Sequence, residues 1–547
     1  MGRSRREESA DHRAQAQGAD VLVIGGGPAG CWAAWRAASQ GARVVLADKG
    51  YVGTSGATAP SGTGVWYVPP ESEARAAAIR ERDALGGHLA DHGWSARVLD
   101  QTYHNLNLVA EWGYPFPVDE DGRQQRRSLQ GPEYMRLMRR VVREAGVKIL
   151  DQSPAAELLL GDDGRVAGAR GTRRQPQGAW SVRAGAVVIA TGGCAFLSKA
   201  LGCNVLTGDG QLMAAEAGAE LSGMEFSNAY GLAPAFSSVT KSAFYRWATF
   251  RHQDGTEIPG AGGRSRSPIA RLLQQGSPVY AILDQASDEE RRLARFAQPN
   301  FFLSFDRIGL DPFTELFPVT LRLEGTVRGT GGLRIVDQGC ATTVPGLFAA
   351  GDAATRELIC GGFTGGGSRN AAWATSSGYW AGESAAAFAL EAGARGAGRT
   401  VRGAAGARLR GRGDRVDPAA LIRAVQDEVF PYARNYFRDE DGLRDSLARL
   451  DASWHALRGA AAPAPGAVAR TREAVAMLAN ARWMYRSALF RTETRGMHKR
   501  TDFAGQDTAQ QHFVLSGGLD EVWVRSQREA WHAVPPAPQV QPLELAA

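Results

Sequence analysis

Residues 19–24 form an apolar run that enters Gly25-x-Gly27-x-x-Gly30; residues 31–41 then read as a helix, and 42–48 form a second apolar run closing on Asp48. Strand, glycine turn, helix, strand and acid in this order restrict the chain to a βαβ unit of the dinucleotide-binding kind. Gly25 permits the tight turn, Gly27 lets the backbone approach a pyrophosphate, and Gly30 lets the helix pack closely on the sheet. Pro28 and Ala29 open the helix, whose N-terminal amides face the phosphate charge, while Asp48 accepts hydrogen bonds from ribose hydroxyls.

Which dinucleotide is decided further along. A flavin–nicotinamide reductase would carry a second glycine fingerprint near its middle, and the sequence has none. Instead VVIATGG (187–193) and VPGLFAAGDAA (344–354) bring a second strand end and Asp352 against the same cofactor from far downstream. That layout suits FAD, whose ribityl and isoalloxazine parts run across a sheet.

Composition narrows the class. At 547 residues the chain is too long for one ordinary core. Its 44% hydrophobic and 22% charged content is that of a globular protein. No apolar run reaches the roughly 18 residues that a membrane span needs. The five cysteines are scattered, with no CxxC pair or metal-ligand spacing, which argues against a disulfide framework, an iron–sulfur cluster or a bound metal. With a charged N-terminus lacking an apolar segment, the chain reads as a reduced, cytoplasmic protein. The net charge of +6 raises nucleic acid as a partner. However, the basic residues are almost all arginine and are spread out, except in an Arg/Gly-rich stretch read as a solvated linker. Nucleic acid is therefore not the expected partner.

The organisation expected is α/β: a Rossmann-like FAD-binding domain with an inserted α+β capping domain and a C-terminal helical domain. Its boundaries are a disordered tail (1–18), the first part of the FAD-binding domain (19–224) and a capping or substrate domain (225–335) without clear alternation. There follow the second part of the FAD-binding domain (336–393), an Arg/Gly-rich linker (394–416), the helical domain (417–533) and a Pro-rich tail (534–547).

Seven segments in order carry a resemblance to a known family. They are DVLVIGGGPAG with Asp48-Lys49-Gly50, SGATAPSG (55–62), ATGG (190–193), TGDGQLMAAEAGAEL (207–221), GTGGLRIVD (329–337), VPGLFAAGD (344–352) and RTETRGMHKRTDF (491–503). Together they resemble the FAD-dependent flavoprotein superfamily of succinate dehydrogenase, fumarate reductase, L-aspartate oxidase and adenylylsulfate reductase flavoprotein subunits. The resemblance implies FAD contacts at Gly25, Gly27, Gly30, Asp48 and Lys49, with Ser55, Gly56, Ala57 and Thr58 along the flavin. It also implies Ala156, Thr191 and Gly192 toward adenine, and Asp209, Asp352, Asn370 and Ala371 on the isoalloxazine and ribityl side. Covalently flavinylated members carry a histidine in the segment matching 55–62; here Ser55 stands there and the segment has no histidine, so non-covalent FAD is expected.

The substrate pocket departs from the family. Tyr230 stands about where dicarboxylate enzymes place a histidine, and Val327-Arg328 where they place another. Gly365 falls where an arginine is expected. Arg266, in RSPIAR, matches the spacing of the family's proton-shuttle arginine, although arginine chemistry alone points to an anion clamp. Tyr230, Arg266, Arg328 and His252, the last a candidate base in a cap loop, are the catalytic candidates. Eight aromatic residues (Trp66, Tyr67, Phe226, Tyr230, Phe236, Phe244, Tyr245 and Trp247) leave two readings open: a larger, more aromatic substrate than succinate, or cap-domain core. The expectation is hydride exchange between flavin and a C–C or C–N bond of a small, non-dicarboxylate molecule, with a separate electron-transfer partner as an option. An L-aspartate oxidase-like amine oxidase and an adenylylsulfate reductase-like flavoprotein subunit are the alternatives.

Overall fold

The computed structural model describes residues 17–527, apart from 119–120, 241–242, 264, 365–367, 393–399, 405–406, 408 and 410. The Pro-rich tail, most of the N-terminal tail and Gly365 therefore lie outside the described residues.

The chain begins with β1 (Gln17–Ile24), α1 (Pro28–Ser39) and β2 (Val44–Ala47). A small hairpin of β3 (Gly62–Gly64) and β4 (Ser128–Gln130) brackets α2 (Ser72–Arg80) and α3 (His92–Glu111). The amphipathic helix α4 (Gly131–Glu144) buries Tyr134, Met135, Met138, Val141 and Val142 and returns the chain to β5 (Lys148–Leu150). An antiparallel meander follows: β6 (Ala155–Gly161), β7 (Val166–Arg174) and β8 (Gln177–Ile189). The first region ends with α5 (Asp209–Glu216) and β9 (Leu221–Ser222).

The cap comprises β10 (Ala229–Pro234), β11 (Thr249–Arg251), α6 (Ser267–Gln274), β12 (Val279–Ile282), α7 (Asp288–Ala297), α8 (Pro299–Asp306) and β13 (Phe317–Gly325). Its four strands form one antiparallel sheet in the order β10-β13-β12-β11. Contrary to the expectation of no alternation, β13 alternates buried and half-exposed residues over most of its length. Beneath the sheet, Phe244, Phe301, Phe302, Phe305 and Phe317 make a chain of ring contacts with centroids 4.8–5.5 Å apart. Ser287 and Glu290 cap α7 reciprocally.

The return brings β14 (Gly332–Leu333), β15 (Leu347–Ala349), the short α9 (Glu357–Cys360) and the long α10 (Ser368–Ala392). The last region holds β16 (Val401–Gly403), β17 (Gly413–Arg415), α11 (Pro418–Val429), α12 (Tyr432–Asn435), α13 (Glu440–Gly459), β18 (Ala460–Ala461), α14 (Val468–Phe490), β19 (Phe513–Gly517) and β20 (Trp523–Gln527).

The main sheet runs β16-β6-β7-β8-β1-β2-β5, with β15 also paired to β8. The β1, β2, β5 and β15 pairings are parallel, and the apolar runs of β1, β2 and β15 are buried, as expected where helices cover both faces. α10 lies against α1 because Gly378 and Gly382 offer no side chain there; a Cβ on either would overlap an α1 carbonyl.

Three boundaries need correction. Gln17 and Gly18 belong to β1 rather than to a tail, because their backbones pair in register with Val182 and Arg183. Val401–Gly403 is not linker but an edge strand on β6, so the Arg/Gly-rich stretch returns to the sheet. The C-terminal region is not wholly helical: β19 and β20 join β9 and β14 in a second sheet, and β19 is buried throughout and packs against α14.

Candidate functional site

The glycine turn opens one cleft. Gly25 adopts φ +108°, a region that glycine enters without strain, and a Cβ there would overlap the Ala190 carbonyl. Gly30 sits beneath the turn with its α-carbon against the Gly25 carbonyl, whereas Gly27 faces open space. Gly27 is the N-cap of α1, no side chain caps that helix, and Pro28 occupies its first turn. A helix end left uncapped beside a cleft is suited to a phosphate group.

Asp48, at the end of β2, is buried. Its Oδ2 accepts from the Gly26 amide at 2.7 Å, and its Oδ1 accepts from the Gly50 amide and the Ser55 hydroxyl, both at 2.7 Å. One carboxylate thus ties together the glycine turn and the 50–55 loop. Next to it, Lys49 Nζ donates to Asp209 at 2.6 Å, Thr207 Oγ1 at 2.9 Å and Glu473 of α14 at 3.2 Å. Burial alone would lower the Lys49 pKa, but the Asp209 and Glu473 carboxylates outweigh it and hold the ammonium above its ordinary value. Glu473 of the C-terminal region thereby braces a residue of the cleft wall.

Gly25, Gly27, Pro28, Ala29, Asp48, Lys49, Ser55, Gly56, Ala57 and Thr58 line the cleft together with Thr191, Gly192, Asp209, Asp352, Asn370 and Ala371. Arg328, among the catalytic candidates, lines it too. The wall also includes residues that the sequence reading passed over, such as Thr63, Leu129, Tyr134 and Leu206. These come from a hairpin, a helix and a loop with no motif of their own. Ala156 is a correction: Ala155 lines the cleft, and strand alternation turns Ala156 away to a second cavity against α14. The early turns of α10 face the cleft through Asn370, Ala371 and Ala374. Asn370 Nδ2 donates to the Val327 carbonyl at 3.2 Å, while its Oδ1 is buried without a partner. An open glycine cradle, an uncapped helix end and this spare acceptor fit a large dinucleotide carrying both phosphate charge and N–H donors.

The sequence reading also missed Arg356. It is fully buried; Nη1 donates to Asp352 and Nη2 to the carbonyls of Thr326 (2.8 Å), Val327 (3.2 Å) and Gly329. One guanidinium so fixes both the cleft carboxylate and the turn that carries Arg328. An arginine in an arginine-rich chain gave no signal for this.

The remaining catalytic candidates part company. Tyr230 is corrected to a structural role: its buried hydroxyl donates toward the Val429 and Phe430 carbonyls at 3.0 and 3.2 Å, pinning the cap to the end of α11. Burial, reinforced by Tyr485 and Tyr432, pushes that phenol well above its usual range. His252 belongs to a turn in which its amide donates to the Thr256 carbonyl at 2.8 Å, and it does not line the cleft. Arg266, at the start of α6, donates from Nε to the Gly263 carbonyl at 3.0 Å and from Nη1 to the Tyr230 carbonyl. Burial, then the nearby positive charge of Arg328, lowers its pKa to about 10. Arg328 Nη1 donates to the Thr240 carbonyl and to Glu324 Oε2, both at 3.2 Å, and Glu324 has no exposed surface.

None of the eight aromatic residues singled out in the sequence is part of the cleft wall. Phe244 stacks on Trp247 and Tyr245 on Phe250 within the cap. Tyr67 stacks on Tyr103, and Trp66 lies under Arg369. In these contacts the rings serve as packing.

Comparison with known proteins agrees with this geometry. Residues 20–230 match the FAD binding domain family and residues 428–525 the fumarate reductase flavoprotein C-terminal family. The chain is 29% identical to an L-aspartate oxidase of Streptomyces coelicolor, over 91% of each chain. It is 26% identical to a fumarate reductase flavoprotein subunit of Mycobacterium tuberculosis, over 90% of this chain and 93% of the other. Among solved structures, E. coli quinol fumarate reductase superposes with a TM-score of 0.78 at 20% identity, covering 96% of this chain and 99% of that one. Adenylylsulfate reductase of Archaeoglobus fulgidus gives 0.75 at 20% identity, covering 94% and 96%. The chain belongs to the succinate dehydrogenase/fumarate reductase flavoprotein superfamily and is an FAD-dependent oxidoreductase.

Proposed function

We propose that the chain exchanges hydride between FAD and a C–C or C–N bond of a small organic substrate other than a C4 dicarboxylate. Bound FAD supplies the two-electron chemistry at N5. Gly25, Gly27, Asp48 and Lys49 would hold its nucleotide end, and Asp352, Asn370 and Ala371 its ring end. Arg266 and Arg328 present positive charge where the cap meets the ring end, and the packed cap excludes water from the reacting atoms. With a pKa near 10, Arg266 stays cationic at neutral pH and stabilises charge that develops on the substrate. The carrying observation is the substitution of the dicarboxylate pocket: Tyr230 spends its hydroxyl on Val429 and Phe430, and Val327 offers no polar group.

The test is anaerobic bleaching of the FAD-loaded chain by a panel of monocarboxylic acids, amines, enoates, succinate and aspartate. Bleaching by a member other than succinate and aspartate is expected; rapid turnover with either of those two would overturn the reading. A second reading, a flavoprotein subunit passing electrons to a separate partner, is favoured by the mycobacterial relative being named a subunit. Co-purification with a cysteine-rich protein would support it. Among the described residues, no helix is long and apolar enough to cross a membrane.

A further inference from the structure

The second cavity, into which strand alternation turns Ala156, shares no lining residue with the FAD cleft. It measures about 340 Å³ and lies between β6 and β7, the end of α5, residues 462–463 and the first turns of α14. Ala156, Ala462, Pro463, Val468 and Val475 give it a mainly apolar wall. The charges in that wall are paired with one another. Arg472 grips Glu216 with both terminal nitrogens, at 2.7 and 2.8 Å, and Arg170 Nε donates to Glu157 at 2.6 Å. Two guanidiniums against two carboxylates leave no net charge among the described residues of the wall. One polar group is left over. Thr471 belongs to the wall and is 2% exposed, yet its Oγ1 makes no hydrogen bond. Burying a hydroxyl without a partner is costly, and a partner entering the cavity would relieve that cost.

We propose that this cavity is a second small-molecule site, for an uncharged, mainly apolar molecule of about two fused rings with one hydrogen-bonding group. It is separate from the hydride-transfer site and does not depend on that reading. Size, charge and polarity each set one part of the ligand class. An apolar cavity of about 150 Å³ takes up a benzene, so 340 Å³ has room for a bicyclic molecule. A carboxylate or ammonium would meet charges that already satisfy each other, and would lose its water without gaining a counter-ion. A wholly apolar molecule would leave the Thr471 hydroxyl unpaired. One N–H, O–H or carbonyl group on the ligand supplies the missing bond, because a hydroxyl both donates and accepts. An apolar wall with few polar groups is the usual form of a small-molecule site.

The experiment titrates the FAD-loaded full chain with indole, indene and indole-5-carboxylate, followed by saturation-transfer NMR of the probe. Flavin absorbance checks that the FAD cleft stays filled. Indole is expected to bind saturably, indene roughly threefold to tenfold more weakly for want of the N–H, and indole-5-carboxylate not at all. Thr471→Val keeps the shape and removes a hydroxyl that has no partner in the fold, so FAD content and melting temperature should hold. In that variant indole should fall to the affinity of indene, and indene should bind as before. Val475→Phe sets a ring into the cavity and should abolish binding of both. Absence of saturable indole binding, binding of indole unchanged in Thr471→Val, or indole-5-carboxylate binding as tightly as indole would overturn the site.

Discussion

Arg356 illustrates how one side chain can hold a cleft together. Its partners are one carboxylate and three carbonyls, and removing its guanidinium deprives all four of a fully buried donor. Hydrogen bonds to a charged group are worth about 1.5–3 kcal/mol each. Arg356→Met should therefore lower the melting temperature and weaken FAD affinity, read by flavin fluorescence; unchanged affinity would mean that the turn at 326–329 needs no support. The neighbouring Glu357 has its pKa raised to about 8, by burial first and then by the Glu225 carboxylate, whereas an unfolded glutamate titrates near 4.5. The folded state thus binds the extra proton. Its contribution to stability is full below about pH 4.5, declines as pH rises, and is lost above about pH 8. Glu357→Gln should remove this decline, so its melting temperature gains on the parent between those limits. A constant offset across that range would refute the assignment. At this scale the glycine fingerprint was legible because backbone sterics are local, and Ala156 was misplaced by one residue because strand register is not. Arg356 was illegible: Thr326, Val327 and Gly329 become its neighbours only once the cap is folded.

Elements were read best where a period repeats. The amphipathic stripe of α4 and the apolar runs of β1, β2 and β8 are written in consecutive residues. α14 hid its role, since every residue from 473 to 485 is buried and it shows no polar face to betray its orientation. β19 and β20 were overlooked because five-residue strands carry little signal, and beyond its hairpin with β20 the other partner of β19 is β9, nearly three hundred residues earlier. The α1–α10 contact depends on absent side chains. Gly382→Ala would push a methyl group into the Ala33 carbonyl, separating the helices at a cost of about 1–3 kcal/mol. Thermal melting with and without FAD checks this; a melting temperature equal to the parent's would show that the helices slide freely.

Across the whole molecule, the segments meeting at the cleft lie far apart in the chain, from Ile24 to Thr375. Motif order made the FAD-binding core and the helical C-terminal region readable, because several motifs converge on one cleft. The substrate end was not readable, because whether Tyr230 and the other rings pack or line the cleft shows only in three dimensions. No histidine stands in 55–62, and Ser55 gives its hydroxyl to Asp48, so acid precipitation should leave all the flavin in the supernatant. Yellow colour retained in the pellet after washing in denaturant would contradict a non-covalent attachment.

The bridge from Lys49 to Glu473 spans 424 positions. A ribosome must synthesise most of the polypeptide before these two groups can meet, and N-terminal regions fold first during synthesis. A nascent or truncated product lacks the carboxylate that braces Lys49 at the rim of the cradle, so this support is completed last.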